Sequence, residues 1–305
     1  MMQLPDHVTI TEVGPRDGLQ NEELLLDVDR KLEMIDRLAA AGVRRIEAAS
    51  FVSPKAIPQM RDAAEVMTRL RRRPGVTYIA LVPNETGARN AIAAGADELS
   101  TVVSASETHN LRNINRAVEE TLTGIETIAR LADEARKPWC GYISTAFGCP
   151  YEGAVAPARV IEIAARLRAL GSYAIALGDT IGAADPRQVS ALVRELREQL
   201  PGVPLRLHFH DTRGTGLANV LAALEQGVDS FDGSIGGLGG CPYAPGAAGN
   251  VATEDLVYML GRMGVETGIG LASLVDASRW IEGVVGHTLP GRVKGAGDGV
   301  FQSVS

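Results

Sequence analysis

Short β-branched runs alternate along this chain with longer stretches rich in Ala, Leu, Glu and Arg, whose apolar residues recur at helical spacing. Val8–Val13 is the first such run, and the stretch Asp29–Ala41 behind it places Leu32, Ile35, Leu38 and Ala39 on one face. Val43–Ala49 leads into Pro58–Arg72, Thr77–Val82 into Glu85–Ala94, and Glu98–Val103 into Arg116–Arg136. The pattern continues with Trp139–Thr145 before Pro157–Leu170, and Tyr173–Gly178 before Pro186–Leu200. Leu205–His210 then precedes Gly216–Gln226, and Ser230–Gly233 precedes Thr253–Gly264. Gly42, Gly75, Gly95, Gly171, Gly202 and Gly227 stand where helices should stop, and Pro157 and Pro186 where helices should start.

Repeated strand–helix units predict parallel strands, because each crossover between parallel neighbours needs a helix. Eight such units in so short a span predict a closed α/β barrel, a (β/α)8 TIM barrel over about residues 8–264. A doubly wound open sheet is the alternative, disfavoured because no Gly-rich dinucleotide fingerprint follows the first strand. Leu271–Ser305 reads as a C-terminal helix and tail able to cover part of the barrel. No linker or low-complexity segment divides the 305 residues, so 1–305 is expected to form one domain.

Composition narrows the classes of partner. Aromatic residues are only 4% of the chain, which favours aliphatic core layers over an aromatic binding surface. The net charge of −7 disfavours nucleic acid and anionic membranes, although a local basic patch can still bind an anionic cofactor. No apolar run approaches the roughly 18 residues of a membrane span. Met1–Val13 lacks a secretory or transit signature, and the last residues carry no peroxisomal address. Three cysteines, Cys140, Cys149 and Cys241, are no disulfide framework and suit a reducing cytoplasm.

In a barrel of this kind the chemistry belongs at the C-terminal ends of the strands. There the first strand runs into a Gly/Pro turn carrying Arg16 and Asp17. A carboxylate can bind a cation or take a proton and a guanidinium can stabilise an oxyanion, although the same pair can be a simple loop salt bridge. The seventh strand ends in His208 and His210, whose period-two spacing points both rings to one side. Two histidines with Asp17 opposite make a mixed nitrogen–oxygen metal site. After the eighth strand, Gly236–Asn250 is a Gly-rich loop carrying Cys241, a candidate proton donor or nucleophile. Asn250 closes the loop and can either cap the next helix or complete the metal site. Glu47 and Asp179 end strands as inward acids able to orient Arg16 or bind water, while Asn84 and Thr145 reach the rim and can hydrogen-bond substrate. Cys140 and Cys149 read as structural.

Six motifs, in order and correctly spaced, resemble the 3-hydroxy-3-methylglutaryl-CoA lyase family. They are EVGPRDGLQNE at Glu12–Glu22, IEAASFVSPKAIPQM at Ile46–Met60, GCPYEG at Gly148–Gly153, LGDTIG at Leu177–Gly182, HFHDTRG at His208–Gly214, and GGLGGCPYAPGAAGNVATEDLVYML at Gly236–Leu260. The resemblance implies a TIM barrel that cleaves the acyl-CoA into acetyl-CoA and acetoacetate with Mg²⁺ or Mn²⁺, a step of leucine degradation and ketone-body formation. It implies Asp17, His208, His210 and Asn250 as metal ligands, Arg16 as the oxyanion-stabilising arginine and Cys241 as the loop thiol. Asp17 or His208 would take the substrate proton, with Gln20, Glu47, Asn84, Thr145, Asp179 and Glu254 as supporting or substrate-contacting residues.

The chain departs from the family's animal-type pattern at Glu23, Ser106–Asn110 and Arg213. These positions bear on the acyl substrate, and leave room for a longer 3-hydroxy-3-substituted glutaryl-CoA ester. A condensing synthase of the isopropylmalate type and a metal-dependent aldolase share the RDG and HxH sites but lack the Cys-bearing loop. A non-catalytic barrel would have no need of Arg16, Asp17, His208, His210, Cys241 and Asn250 together. Arg292 and Lys294 are candidate contacts for coenzyme A phosphates, and a homodimer is the expected assembly.

Overall fold

The computed structural model describes residues 4–240 and 248–296. Eight parallel strands close into a barrel in sequence order: β1 (Thr9–Glu12), β2 (Arg45–Ser50), β3 (Thr77–Leu81), β4 (Glu98–Ser104), β5 (Trp139–Ser144), β6 (Ala174–Asp179), β7 (Leu205–Phe209) and β8 (Ser230–Gly233). β8 pairs back to β1 through Thr9↔Ser230 to Glu12↔Gly233, which completes the ring.

Around it lie α1 (Val28–Ala40), α2 (Ala63–Arg69), α3 (Glu85–Ala93), α4 (Glu107–Ile114), α5 (Val118–Glu134), α6 (Pro157–Ala169), α7 (Pro186–Gln199), α8 (Gly216–Glu225) and α9 (Thr253–Arg262). Local chemistry starts and stops them. Asp27 caps α1 by accepting from the Arg30 amide at 2.8 Å, and Asp185 caps α7 ahead of Pro186. Gly42 and Gly171, at φ of 104° and 96°, turn the chain out of α1 and α6 in a conformation that side chains disfavour.

Two elements differ from the expectation. Pro58–Arg72 is not one helix: a 3-10 turn, Pro58–Met60, precedes the shorter α2. The sequence reading also passed over α4, which is too polar to show an apolar stripe. Its hold is local: Ser106 accepts from the His109 amide at 3.1 Å, and Asn115 ends the helix at φ 54°.

Strand alternation divides the interior. Ile46, Leu99, Ile143 and Leu207 are fully buried in the apolar core. The opposite register faces the barrel lumen, which is more polar than the expected aliphatic layers. Arg45 donates to Glu98 at 2.6 and 2.7 Å and to the Tyr173 hydroxyl at 2.7 Å, while Arg206 is ion-paired with Asp232.

Beyond the barrel, α10 (Leu271–Val285) packs against α1 and the turn after β8, and α11 (Val293–Ala296) follows. Asp255 at the start of α9 fixes this extension by accepting from the amides of Arg292 and Val293. Among the described residues no helix is long and apolar enough to cross a membrane.

Candidate active site

The first strand delivers its charges through an unusually wide turn, Gly14–Gly18, held from below by a buried acid. Glu12 accepts from the Gly14 amide (2.8 Å), the Ile235 amide (2.9 Å) and the Thr253 hydroxyl (2.6 Å). One side chain thereby ties the β1 turn to the β8 turn and to α9. Burial pushes the Glu12 carboxyl up to about 7 even though all three donors favour its charge. The sequence reading gave Glu12 no role, although it was visible as the acid at the end of β1.

Arg16 projects from that turn and is nearly buried. Its Nε donates to Glu47 Oε2 at 2.8 Å, and its Nη1 pairs with Asp17 Oδ1. The salt bridge is therefore real, and it fixes the guanidinium within the cavity. Asp17 accepts from Asn250 Nδ2 at 2.9 Å through its other oxygen. Burial would raise the Asp17 carboxyl, but Arg16 and the two histidines hold it well below the usual carboxylate range.

β7 brings His208 and His210 to the same rim, with ring centroids 5.2 Å apart. One ligand atom from each of Asp17, His208 and His210 lies within 4.8 Å of the others. His208 Nδ1 lies 3.1 Å from Asp232 Oδ2, which holds the ring's proton affinity up against burial. Among the described residues His210 Nδ1 has no hydrogen-bond partner, and burial followed by the charge of His208 pushes that ring down to about 3. Asn250 does not cap α9: its Nδ2 also donates to Leu238 O at 3.1 Å, and its buried Oδ1 has no hydrogen-bond partner among the described residues.

An unsatisfied buried acceptor is costly, so Asn250 Oδ1 calls for a positive ligand. Two imidazoles, a carboxylate and an amide oxygen suit a divalent cation.

The cluster opens into a cavity of about 710 Å³. Gln20 and Asn84 line it, although Asn84 Oδ1 is spent on capping α3 through the Gly87 amide at 2.9 Å. Thr145 does not line it. Its hydroxyl donates to the Ser144 carbonyl at 2.7 Å, and the inward positions of this segment are Tyr142 and Ser144. The expectation was one residue out of register: with Tyr142 and Ser144 inward, period-two alternation turns Thr145 away from the cavity on the same side as Ile143. Asp179 does not orient Arg16. It accepts from the Ala183 and Ala184 amides at 2.8 and 3.2 Å, fastening the loop after β6, and burial raises it to about 6.

Glu254 supports from behind, accepting from the Gly236 amide (2.9 Å) and the Ser278 hydroxyl (2.6 Å) and so binding the β8 turn to α10. Cys241 lies outside the described residues. Besides Tyr142 and Ser144, the sequence reading missed Thr180, Arg112 and Arg116, which line the cavity; His109, within the Ser106–Asn110 stretch expected to bear on the substrate, lines it as well.

A family model described as HMGL-like matches residues 7–281, nearly all of the barrel and most of α10. The chain belongs to the HMGL-like family. A Bacillus subtilis hydroxymethylglutaryl-CoA lyase is 48% identical over 95% of this chain and 97% of its own length. The crystal structure of a Bacillus subtilis HMG-CoA lyase superposes with a TM-score of 0.95, covering 97% of this chain and 99% of that one. An Acinetobacter baumannii HMG-CoA lyase, solved with coenzyme A and 3-methylmalate, is 42% identical with a TM-score of 0.93, covering 99% and 98%. Carboxyl transferase domains of Rhizobium etli pyruvate carboxylase share the fold at 20% identity. HMGL-like membership of this strength makes the chain a carbon–carbon lyase with a candidate metal site at Asp17, His208 and His210.

Proposed function

We propose that the protein cleaves 3-hydroxy-3-methylglutaryl-CoA to acetyl-CoA and acetoacetate. The observation that carries this reading is the meeting of Arg16, Asp17 and two histidines at one cavity of an HMGL-like barrel. A divalent cation, Mg²⁺ or Mn²⁺, would be held by Asp17, His208, His210 and Asn250 Oδ1, and would supply Lewis-acid polarisation of substrate oxygens.

The remaining chemistry falls to the chain. Asp17 takes the C3 hydroxyl proton, because His208 has its Nδ1 on Asp232 and its other nitrogen toward the cation; the O–H electrons form the C3 ketone as the C2–C3 bond breaks toward C2. Those electrons pass into the thioester enolate, whose oxygen faces Arg16. The guanidinium is preorganised for this charge because Glu47 and Asp17 already hold it. The Cys241 thiol then delivers a proton to C2, releasing acetyl-CoA.

The acyl-CoA arm has room in this cavity, whose lining includes Arg112 and Arg116 as sources of positive charge. Arg292 and Lys294 are poor phosphate contacts: Arg292 pairs with Asp211 and Asp255, and Lys294 with Glu282. Of the departures from the family pattern, His109 lines the cavity, whereas Arg213 instead bonds the carbonyls of Ile181 and Gly182. His109 is thus the departure placed where it can touch the acyl group, and a longer 3-hydroxy-3-substituted glutaryl-CoA ester is the second reading.

Comparing kcat/KM for the two esters, with acetyl-CoA quantified as product, tests both readings. Preference for the methyl ester supports the first, and turnover of the longer ester alone replaces it. The reaction would serve leucine degradation and ketone-body formation. We place the protein in the cytoplasm because Cys140 and Cys149 are free and buried, and expect a homodimer on general frequency.

A further inference from the structure

Three buried side chains form a line beneath the cavity, joining β7 to β8. His208 Nδ1 lies 3.1 Å from Asp232 Oδ2, and Arg206 Nε lies 3.3 Å from Asp232 Oδ1. Each residue is 3–4% exposed. Arg206 and His208 are two residues apart on β7 and so share its inward face, while β8 is registered beside them through Leu207↔Phe231.

Geometry fixes what this line can do. An ionised carboxylate only accepts, so the hydrogen between His208 and Asp232 belongs to Nδ1. That leaves Nε2 as the nitrogen presented to Asp17 and His210. The nitrogen a histidine offers to a cation is decided by the bond its other nitrogen makes. His210 has no such anchor among the described residues, since its buried Nδ1 has no hydrogen-bond partner there. The two rings of the HxH pair are therefore unequal, one locked and one dependent on the ligand.

We propose that Asp232 is the positioning residue of this site, locking His208 with Nε2 toward the cation, and that Arg206 holds Asp232 in place. Asp232 touches neither substrate nor cation; it acts through His208. The inference rests on the metal reading above and assigns that site a support from inside the barrel that the motifs of the sequence did not reveal. Arg206 acts on Asp232 by charge, since among the described residues its Nε and Nη1 and Asp232 Oδ1 make no hydrogen bond.

The test is Mn²⁺ binding to metal-stripped protein, read from the electron paramagnetic resonance signal of free Mn²⁺, for wild type and Asp232→Asn. Loss of a carboxylate behind a histidine ligand weakens binding on the order of 10- to 100-fold, and that is the expected shift. Turnover should split accordingly, with kcat recovering toward wild type once Mn²⁺ is saturating. Because Asp232→Asn strands the Arg206 cation, the double variant Asp232→Asn/Arg206→Met removes both charges and carries the same measurement if the single variant does not fold. Unchanged Mn²⁺ affinity in a folded variant overturns the inference alone. A wild-type protein that binds no Mn²⁺ overturns the metal reading, and the inference with it.

Discussion

Arg16 Nε donates to Glu47 Oε2 at 2.8 Å, so the strand-end acid of β2 sets the direction of the guanidinium carried by the β1 turn. Glu47 is 2% exposed, and among the described residues its Oε1 has no hydrogen-bond partner. Replacing it with Gln removes the charge that steadies Arg16 but leaves the three-residue metal cluster intact. Misplacing a catalytic group by about 1 Å can cost on the order of 100-fold. Glu47→Gln should therefore lower kcat by about 10- to 100-fold while Mn²⁺ affinity stays near wild type. Equal losses in both would show that Glu47 supports the metal site instead.

Arg16→Lys is the sharper version. Lysine keeps the charge but not the fork that reaches Glu47 and Asp17 together. Removal of an oxyanion donor typically costs about 100- to 1,000-fold in kcat. Steady-state kinetics should place Arg16→Lys in that range with KM little changed. A kcat near wild type would remove Arg16 from the chemistry.

Gly178 makes room for Tyr142. A Cβ at Gly178 would stand 2.6 Å from Tyr142 Cζ, inside the ring's van der Waals surface, and closer still to the hydroxyl. Gly178→Ala should lower stability by about 1–3 kcal/mol and displace the Tyr142 ring from the cavity wall, with a fall in kcat/KM. Because Cζ itself is in the way, Tyr142→Phe should not restore stability in the double variant. Thermal unfolding of the two variants checks this; rescue by Phe would locate the conflict at the hydroxyl alone.

His287 Nε2 lies 2.7 Å from Glu22 Oε2 and links the segment after α10 to the loop after β1. The Glu22 hydrogen bond raises the His287 pKa above its ordinary 6.5. The folded protein thus binds this proton more tightly than the unfolded chain does. The stabilisation is complete below the unfolded value and disappears as pH rises through the folded one. His287 is 53% exposed on its side chain, and screening at so exposed a site limits the gain to below about 1 kcal/mol. His287→Asn should lower the Tm at mildly acidic pH and make little difference at alkaline pH. A Tm difference independent of pH would show that the pair does not carry charge.

Much of this architecture was legible because its signals are local. Proline at the first turn of α6 and α7, and glycine after α1 and α6, mark boundaries wherever the chain is read. His208 and His210 were legible because period-two spacing survives to the end of β7. Other features were not local. Asp232 sits in a four-residue strand, and its partners on β7 appear only when the barrel closes. Asp179 looked like an inward acid at the rim, but its oxygens are taken by the Ala183 and Ala184 amides; Glu254, named only through the resemblance, accepts from the Gly236 amide and the Ser278 hydroxyl. Thr145 was misplaced by one residue because the inward register of β5, set by Tyr142 and Ser144, shows only once the barrel is formed. α4 was invisible to periodicity because caps, and not an apolar stripe, hold it.

The central claim is that the Asp17, His208 and His210 cluster, with Arg16 beside it, cleaves a carbon–carbon bond only when charged with a divalent cation. Metal-stripped protein given 3-hydroxy-3-methylglutaryl-CoA, with and without Mg²⁺ or Mn²⁺, tests it most directly. The account predicts acetyl-CoA and acetoacetate in equal amounts, formed on cation addition and absent without it. Equal turnover in the thoroughly stripped protein, or products other than this pair, would contradict it.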